Sequence, residues 1–458
     1  MQNMKERDRI FRSWKKSTGN IQERNVLRDR YKRLRNEITN SIKIAKQRHY
    51  QNAFNDAKHD MKQTWKIINK VMGKSKADSD DLQIFDAFRA YSNESKMDLV
   101  NDFADKLFEK SSVQVHSCSQ TLFEHLPVTQ KNSIYVPEIS TMEIVSIIEK
   151  QQEKKSAGHD QIKPRDLKDI SSEVAPYMER LINNSINIGR IEKGIKYSII
   201  RPIYKNGKRN DVNNYRPISL LPVVSKIIER YMEDILYKYF KKNNIIDLRQ
   251  FAYQREKGTT QLLEMFVDRI NQSLDRGIHM ICIFVDFKSA FDTINHTKLL
   301  QILESVGIRG NILGWFKSYI TERTYSIKLG QYISESKAME RGVPQGSILG
   351  PLLYLLYVND VGKCFKLCNY YSYADDILIT CRHVDLESAQ NNLQSEFNTF
   401  MKWAHDKELI INRKKTKVMH IRTPKMKSYS SINILAHTIE CVHKNYYELF
   451  LCREIGTS

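Results

Sequence analysis

The sequence predicts a mixed core of helices and short strands, α+β or α/β, behind a basic helical extension. Three observations lead there. From about Val136, helical spacing alternates with β-rich runs, "YSIIRPIYK", "MICIFVDF" and "NYYSYADDILITC". Before that point the texture differs: residues 1–76 hold 21 Lys and Arg against 7 Asp and Glu. Finally, 41% of the 458 residues are hydrophobic, enough to bury a sizeable core.

In chain order, Leu27, Tyr31, Leu34, Ile38, Ile42, Ala45 and His49 recur at three- and four-residue steps, the stripe of an amphipathic helix with a basic outer face. A second helix is predicted over Asp60 to Val71, stopping near Gly73. The segment "GKSKADSDD" reads as a linker, and Ser111 to Ser133 is polar and weakly periodic. No internal repeat follows.

The formal charge of +20 favours partners with dense negative charge, nucleic acid first and an anionic membrane surface second. The longest apolar run, Ser347 to Val358 ("SILGPLLYLLYV"), falls short of the roughly 20 residues a spanning helix needs. The N-terminus has no apolar core and is not a signal peptide. Seven cysteines with no CxxC pair fit a reduced intracellular compartment, nucleus or cytoplasm; Cys364 and Cys368 lack the further ligands of a zinc site.

The chemistry concentrates on carboxylates. "HMICIFVDF" is an apolar strand ending on Asp286, and a charge there is costly unless something positive pairs with it. "YYSYADDILIT" predicts a strand, turn and strand presenting Asp375 and Asp376 at a hairpin tip. Taken alone, the adjacent aspartates fit an ordinary β-turn. Taken with Asp286, they are hard oxygen donors from two strands, suited to two Mg²⁺ ions that serve both oxygens of a phosphoryl transfer. A third stretch, "RGVPQGSILGPLLYLLYVNDV", joins a Gly- and Pro-punctuated loop to an apolar helix, and Gly346 allows close backbone approach to a ligand.

The ordered set "FVDFKSAFD", "RGVPQGSILGP" and "YADD" resembles the palm motifs of reverse transcriptases, in the wording of the non-LTR retrotransposon (LINE, jockey-like) family. "KSAGHDQI", "IIRPIYKNGKRNDVNNYRPISLLPVVSKIIER" and "LIINRKKTKVM" resemble further segments of that family in the same order, and the basic N-terminal stretch resembles its connector. The resemblance covers about residues 20 to 425. It implies an α+β right-hand polymerase: a basic helical extension over 1–110, a linker over 111–135, fingers and palm over 136–425 and a divergent tail over 426–458.

The resemblance also implies roles. Asp286, Asp375 and Asp376 match the catalytic metal ligands, with Mg²⁺ or Mn²⁺ as cofactor, and the carbonyl of Phe287 is an added ligand. Phe291 matches the aromatic under the sugar, where a ring would clash with a 2′-hydroxyl. Gln345 and Gly346 match the pair packing against incoming nucleotide and template. Lys205 and Arg216 would hold the triphosphate. Lys415, in an N-x-x-K-T pattern, would donate a proton to pyrophosphate or contact template, and Tyr373 would lie beneath the primer end. The implied partners are an RNA template, a DNA primer and deoxynucleotides. In two places the chain departs from the family: Ala252 stands where Gly is usual, and the sequence after "VMHIRTPK" is expected to lack a thumb. The alternatives are a nucleic-acid-binding remnant without turnover and a group II intron type polymerase, which "YRPISLL" and "QGSILGP" disfavour.

Overall fold

The computed structural model describes residues 2–16, 21–56, 84, 95–112, 130–153, 155–423, 431–434 and 437–440. They fall into two compact units, one up to Leu82 and one from Gln83 onward. In the first, α1 (Gln2–Lys16) packs on α2 (Ile21–Asp56) through Phe11, Trp14 and Tyr31, whose ring centroids lie 5.2–5.8 Å apart. The predicted stripe lies within α2, yet of its described side chains only Ile38 is buried, Leu27, Tyr31 and Leu34 are half-buried, and Ala45 and His49 are exposed. Helix α1 has 15 residues against 36 in α2, so at about 1.5 Å per residue it can cover less than half of it. The helix predicted over Asp60 to Val71, the "GKSKADSDD" linker and residues 113–129 lie outside the described residues.

The second unit is built on two sheets. One has the order β2-β1-β4-β5, with β6 also on β4: β1 (Ser198–Tyr204), β2 (Tyr215–Leu220), β4 (Arg323–Leu329), β5 (Tyr332–Ile333) and β6 (Lys337–Met339). Pro202 and Pro217 face each other across β1 and β2, and the parallel pairing of β1 with β4 ends at Ile200, so neither proline interrupts it. Helix α3 (Lys96–Ser112) buries Leu99, Val100, Phe103 and Leu107 against Ile200, Tyr215 and Ile327 of this sheet.

The other sheet, β7-β8-β3-β9, is antiparallel throughout: β3 (His279–Asp286), β7 (Asn369–Tyr373), β8 (Asp376–His383) and β9 (Lys417–Ile421). The unbroken apolar run of β3 reflects burial on both faces. Its even residues, Met280, Cys282 and Phe284, pack under one helix with Leu262, Phe266 and Ile270. Its odd residues, Ile281, Ile283 and Val285, join the main core formed by the remaining helices. In chain order those are α4 (Thr141–Glu149), α5 (Pro164–Lys168), α6 (Ser171–Ile188), α7 (Lys193–Lys196) and α8 (Val223–Lys242). There follow the covering helix α9 (Thr259–Asp275), then α10 (His296–Ser305), α11 (Gly310–Ile320), α12 (Leu349–Tyr357) and α13 (Leu386–Asp406). Helix α12 is apolar all round and buried along almost its whole length, as such a helix must be. A further hairpin pairs β10 (Ser431–Ile434) with β11 (His437–Glu440).

Candidate active site

Antiparallel register sets the carboxylates. Pairing of β3 with β8 runs to Asp286 opposite Asp376, so both project to the same face at the end of the sheet. Strands β7 and β8 close on Tyr373 opposite Asp376, leaving Ala374 and Asp375 as the turn. Ala374 has φ +54°, a left-handed conformation that an L residue adopts at some cost, and it fixes the aim of the aspartate beside it. Burial, and then the charge of Asp286, push the Asp375 carboxyl above its usual range, while Arg216 and Lys205 pull it back.

Asp286 is held from the segment before β9. Asn412 Nδ2 donates to its Oδ2 at 2.8 Å, Asn412 N donates to its carbonyl at 2.7 Å, and Lys415 Nζ lies 3.7 Å from Oδ2. The sequence predicts three carboxylates gathered as a metal cage, and here the structure differs. Among the described residues no three His, Cys, Asp or Glu side chains converge closely enough to hold an ion. Three unneutralised carboxylates repel one another, and Oδ2 of Asp286 is engaged by Asn412 and Lys415. The donors still fit a hard dication: all are carboxylate oxygens, and the raised Asp375 is a group whose charged form a cation would stabilise.

The Gly- and Pro-punctuated loop is bolted to this site. Gly342 N donates to Ile294 O at 2.8 Å, Val343 N to Phe291 O at 3.0 Å, and His296 Nε2 to Gly342 O at 2.8 Å. Arg341 and Lys298 both donate to Glu408, which is 9% exposed. Gln345 Nε2 donates to both carboxylate oxygens of Asp292, at 2.8 and 2.9 Å, while Gln345 O accepts from Ser219 N at 2.7 Å. Gly346 has φ +115°, and a Cβ there would lie 2.7 Å from Ser219 O, so only glycine fits. At the loop's far end the buried Glu229, its carboxyl pushed above the usual range by burial, accepts Ile348 N at 2.6 Å at the start of α12.

Phe291 stacks on Tyr354, centroids 4.7 Å apart, and meets Tyr253 edge-on at 6.2 Å. Burial raises the Tyr253 phenol to about 12, helped by the charge of Asp375. Phe287 is buried and pairs with Ile411 in a β-bridge. Arg216 sits on β2 opposite Ile203, and Lys205 directly follows β1, its N–H donating to Asn214 O at 2.8 Å. Their charges reach Asp375 from the other sheet. Tyr373 packs at the edge of the apolar layer under α9.

The structure thus brings Asp286, Asp375, Asp376, Tyr373, Lys415, Lys205 and Arg216 into one neighbourhood, and ties Gln345 to Asp292, beside Phe291 in the segment that follows β3, while Gly346 packs against Ser219 of β2. Sequence reasoning missed the residues that hold these in place: Asn412, Asp292, Glu408, Glu229 and Tyr253. Two lay in view, Asn412 as the first residue of the N-x-x-K-T pattern and Asp292 as the last of "FVDFKSAFD".

Comparison with known proteins bears on the family of the chain. Residues 203–439 match the family model described as reverse transcriptase (RNA-dependent DNA polymerase). The chain is 27% identical over 300 residues to the RNA-directed DNA polymerase from mobile element jockey of Drosophila melanogaster, covering 64% of this chain and 33% of the relative. It is 29% identical over 279 residues to the probable RNA-directed DNA polymerase from transposon X-element of the same fly, covering 60% and 31%. The jockey polymerase of Drosophila funebris matches at 26% over 325 residues, covering 69% and 35%. This chain therefore spans about a third of the length of the curated relatives it matches. With the family model matching more than half of its residues, the chain belongs to the reverse transcriptase family, and its kinship there is with the jockey-like polymerases of non-LTR mobile elements.

Proposed function

We propose that this chain is the catalytic core of an RNA-directed DNA polymerase that extends a DNA primer on an RNA template with deoxynucleotides. The observation that carries this reading is the register that sets Asp286 against Asp376, with Asp375 beside them under the charges of Arg216 and Lys205. In this reading β1, β2 and β4 belong to the fingers, and β3, β7, β8 and β9 form the palm.

Asp286, Asp375 and Asp376 would hold Mg²⁺, or Mn²⁺, with the Phe287 carbonyl as an added donor. When bound, the metal supplies Lewis-acid activation of the primer 3′-hydroxyl and neutralises phosphate charge. The chain's own residues do the rest. Lys205 and Arg216 bind the triphosphate from the facing sheet, Arg216 offering a bidentate fork. Phe291, held between Tyr354 and Tyr253, presents a rigid ring edge to the sugar and excludes a 2′-hydroxyl. Gln345, its amide nitrogen committed to Asp292, turns its carbonyl oxygen away from that carboxylate and towards a donor on nucleotide or template. Tyr373 supports the primer end. Lys415, whose Nζ lies 3.7 Å from Asp286 Oδ2, supplies a proton to departing pyrophosphate.

Primer extension tests this: full chain, RNA template, DNA primer, deoxynucleotides and Mg²⁺, against Asp375→Asn and Asp376→Asn. Extension by the parent alone is expected. Extension no greater than that of either variant would overturn the polymerase reading.

A further inference from the structure

Two residues of the N-x-x-K-T pattern besides its lysine, Asn412 and Thr416, stand behind Asp286. Residues 410–412 run antiparallel to residues 286–288. Lys288 N donates to Ile410 O at 2.8 Å, Phe287 and Ile411 form a β-bridge, and Asn412 N donates to the Asp286 carbonyl at 2.7 Å. This short ladder brings the asparagine level with the carboxylate, and Asn412 Nδ2 donates to Oδ2 at 2.8 Å. The turn that follows holds the asparagine from its other side. Its carbonyl accepts Lys415 N at 3.1 Å, Thr416 N at 2.9 Å and Thr416 Oγ1 at 3.0 Å, and Thr416 is 1% exposed. Strand β9 then starts at Lys417, opposite Phe284 on the strand that carries Asp286. Asn412 is therefore fixed to β3 both before and after the turn.

A carboxylate at a strand end turns about two bonds, and a metal ligand must be held in one attitude by a neighbour. A lysine or arginine could hold it, but would set a positive charge against an arriving dication. A neutral amide orients the carboxylate and leaves its charge intact. Both the Asn412 and the Lys415 contacts fall on Oδ2, so Oδ1 has no hydrogen bond among the described residues. The Lys415 side chain is 64% exposed and stands at 3.7 Å, so water can take its place; Asn412 is anchored.

We propose that Asn412 is the positioning residue of Asp286, holding its carboxylate in the attitude that receives a divalent cation, and that Thr416 fixes Asn412 in turn. The whole N-x-x-K-T pattern is then one device, with the asparagine aiming the ligand, the threonine setting the turn and the lysine placed by that turn beside the aspartate. This rests on the metal site of the proposed function, so the test must let either fail alone.

The full chain is titrated with Mn²⁺ in the absence of nucleotide, and free ion is read by electron paramagnetic resonance. Asp286→Asn sets the loss that follows when the ligand itself is removed. Asn412→Ala is expected to raise the Mn²⁺ dissociation constant about 10- to 100-fold. Thr416→Val, which keeps the shape and loses the hydroxyl, should raise it about threefold, and Thr416→Ser should stay near the parent. Val418→Ala removes buried methyls from β9 opposite Ile283, and should lower the urea midpoint without moving Mn²⁺ affinity. Unchanged affinity in Asn412→Ala, an equal loss in Val418→Ala, or parent-like binding by Asp286→Asn would overturn the positioning role. Primer extension by the parent is read in parallel. Extension with unchanged Mn²⁺ affinity in Asn412→Ala removes the positioning role and leaves the polymerase. If no extension occurs while Asn412→Ala still loses Mn²⁺ affinity, the polymerase reading falls and the role of Asn412 stands.

Discussion

The hydrogen bonds between Asp292 and Gln345 offer the sharpest test of how the loop proposed to meet the nucleotide is aimed. Replacing Asp292 with Ala removes an acceptor that Gln345 Nε2 meets at 2.8 and 2.9 Å. A hydrogen bond to a charged acceptor contributes about 1.5–3 kcal/mol, and both residues are half-buried, which favours the lower end. At about 1.4 kcal/mol per tenfold, kcat/KM for deoxynucleotide should drop about tenfold. Because the freed amide can rotate, the loss should fall mainly on KM. Asp292→Asn keeps one acceptor and should lie between. Gln345→Ala removes the same contact from the other side, so the double variant should be little worse than the worse single one. Steady-state single-nucleotide incorporation by the parent and the four variants measures this. Additive single effects, or unchanged kinetics in Asp292→Ala, would refute the orienting role.

Gly346→Ala should fold but lose most activity, because its Cβ would meet Ser219 O at 2.7 Å and force the loop off β2; extension assays beside circular dichroism check this. Phe291→Ala should admit ribonucleotides, raising their incorporation relative to deoxynucleotides by about tenfold or more in a competition assay. Glu408→Gln leaves Arg341 and Lys298 facing a neutral amide at a nearly buried position, and should cost about 3 kcal/mol in urea unfolding. His296 is buried and its pKa is lowered, chiefly by desolvation. Its unfolded form therefore takes up a proton that the folded form refuses, and stability should fall as pH drops below the ordinary histidine value of 6.5. Urea midpoints of His296→Gln should fall less steeply from neutral pH to pH 5, with no difference above neutrality.

Much of the site was legible because its signals are local. Asp286 ends an apolar strand, "YADD" interrupts a β-rich run, and Gly346 follows a proline in a turn-rich loop, so each can be seen within about ten residues. What stayed hidden depends on residues distant in the chain. Asn412 and Asp286 are separated by 126 positions, and Glu229 reaches Ile348 across 119. No periodicity announces such pairs. The cage expectation stopped short for another reason: sequence counts carboxylates but not the repulsion between them, nor the amide and ammonium that engage Asp286. The stripe on α2 misled in degree, since spacing states which residues share a face but not how long the covering helix is.

The pairing of β3 has a consequence for how this chain must be made. Its two neighbours, β8 and β9, lie downstream, with Asp286 opposite Asp376 on one side and Phe284 opposite Lys417 on the other. A ribosome therefore releases the most apolar strand of the protein long before either edge can be satisfied. Until β9 emerges, one side of β3 remains an open template for another chain. Such late, long-range closure makes folding slow and the nascent chain prone to aggregate. Expression of pieces ending before Lys417 should accordingly yield insoluble protein, and a chaperone that shields extended apolar segments should raise the soluble yield of the whole.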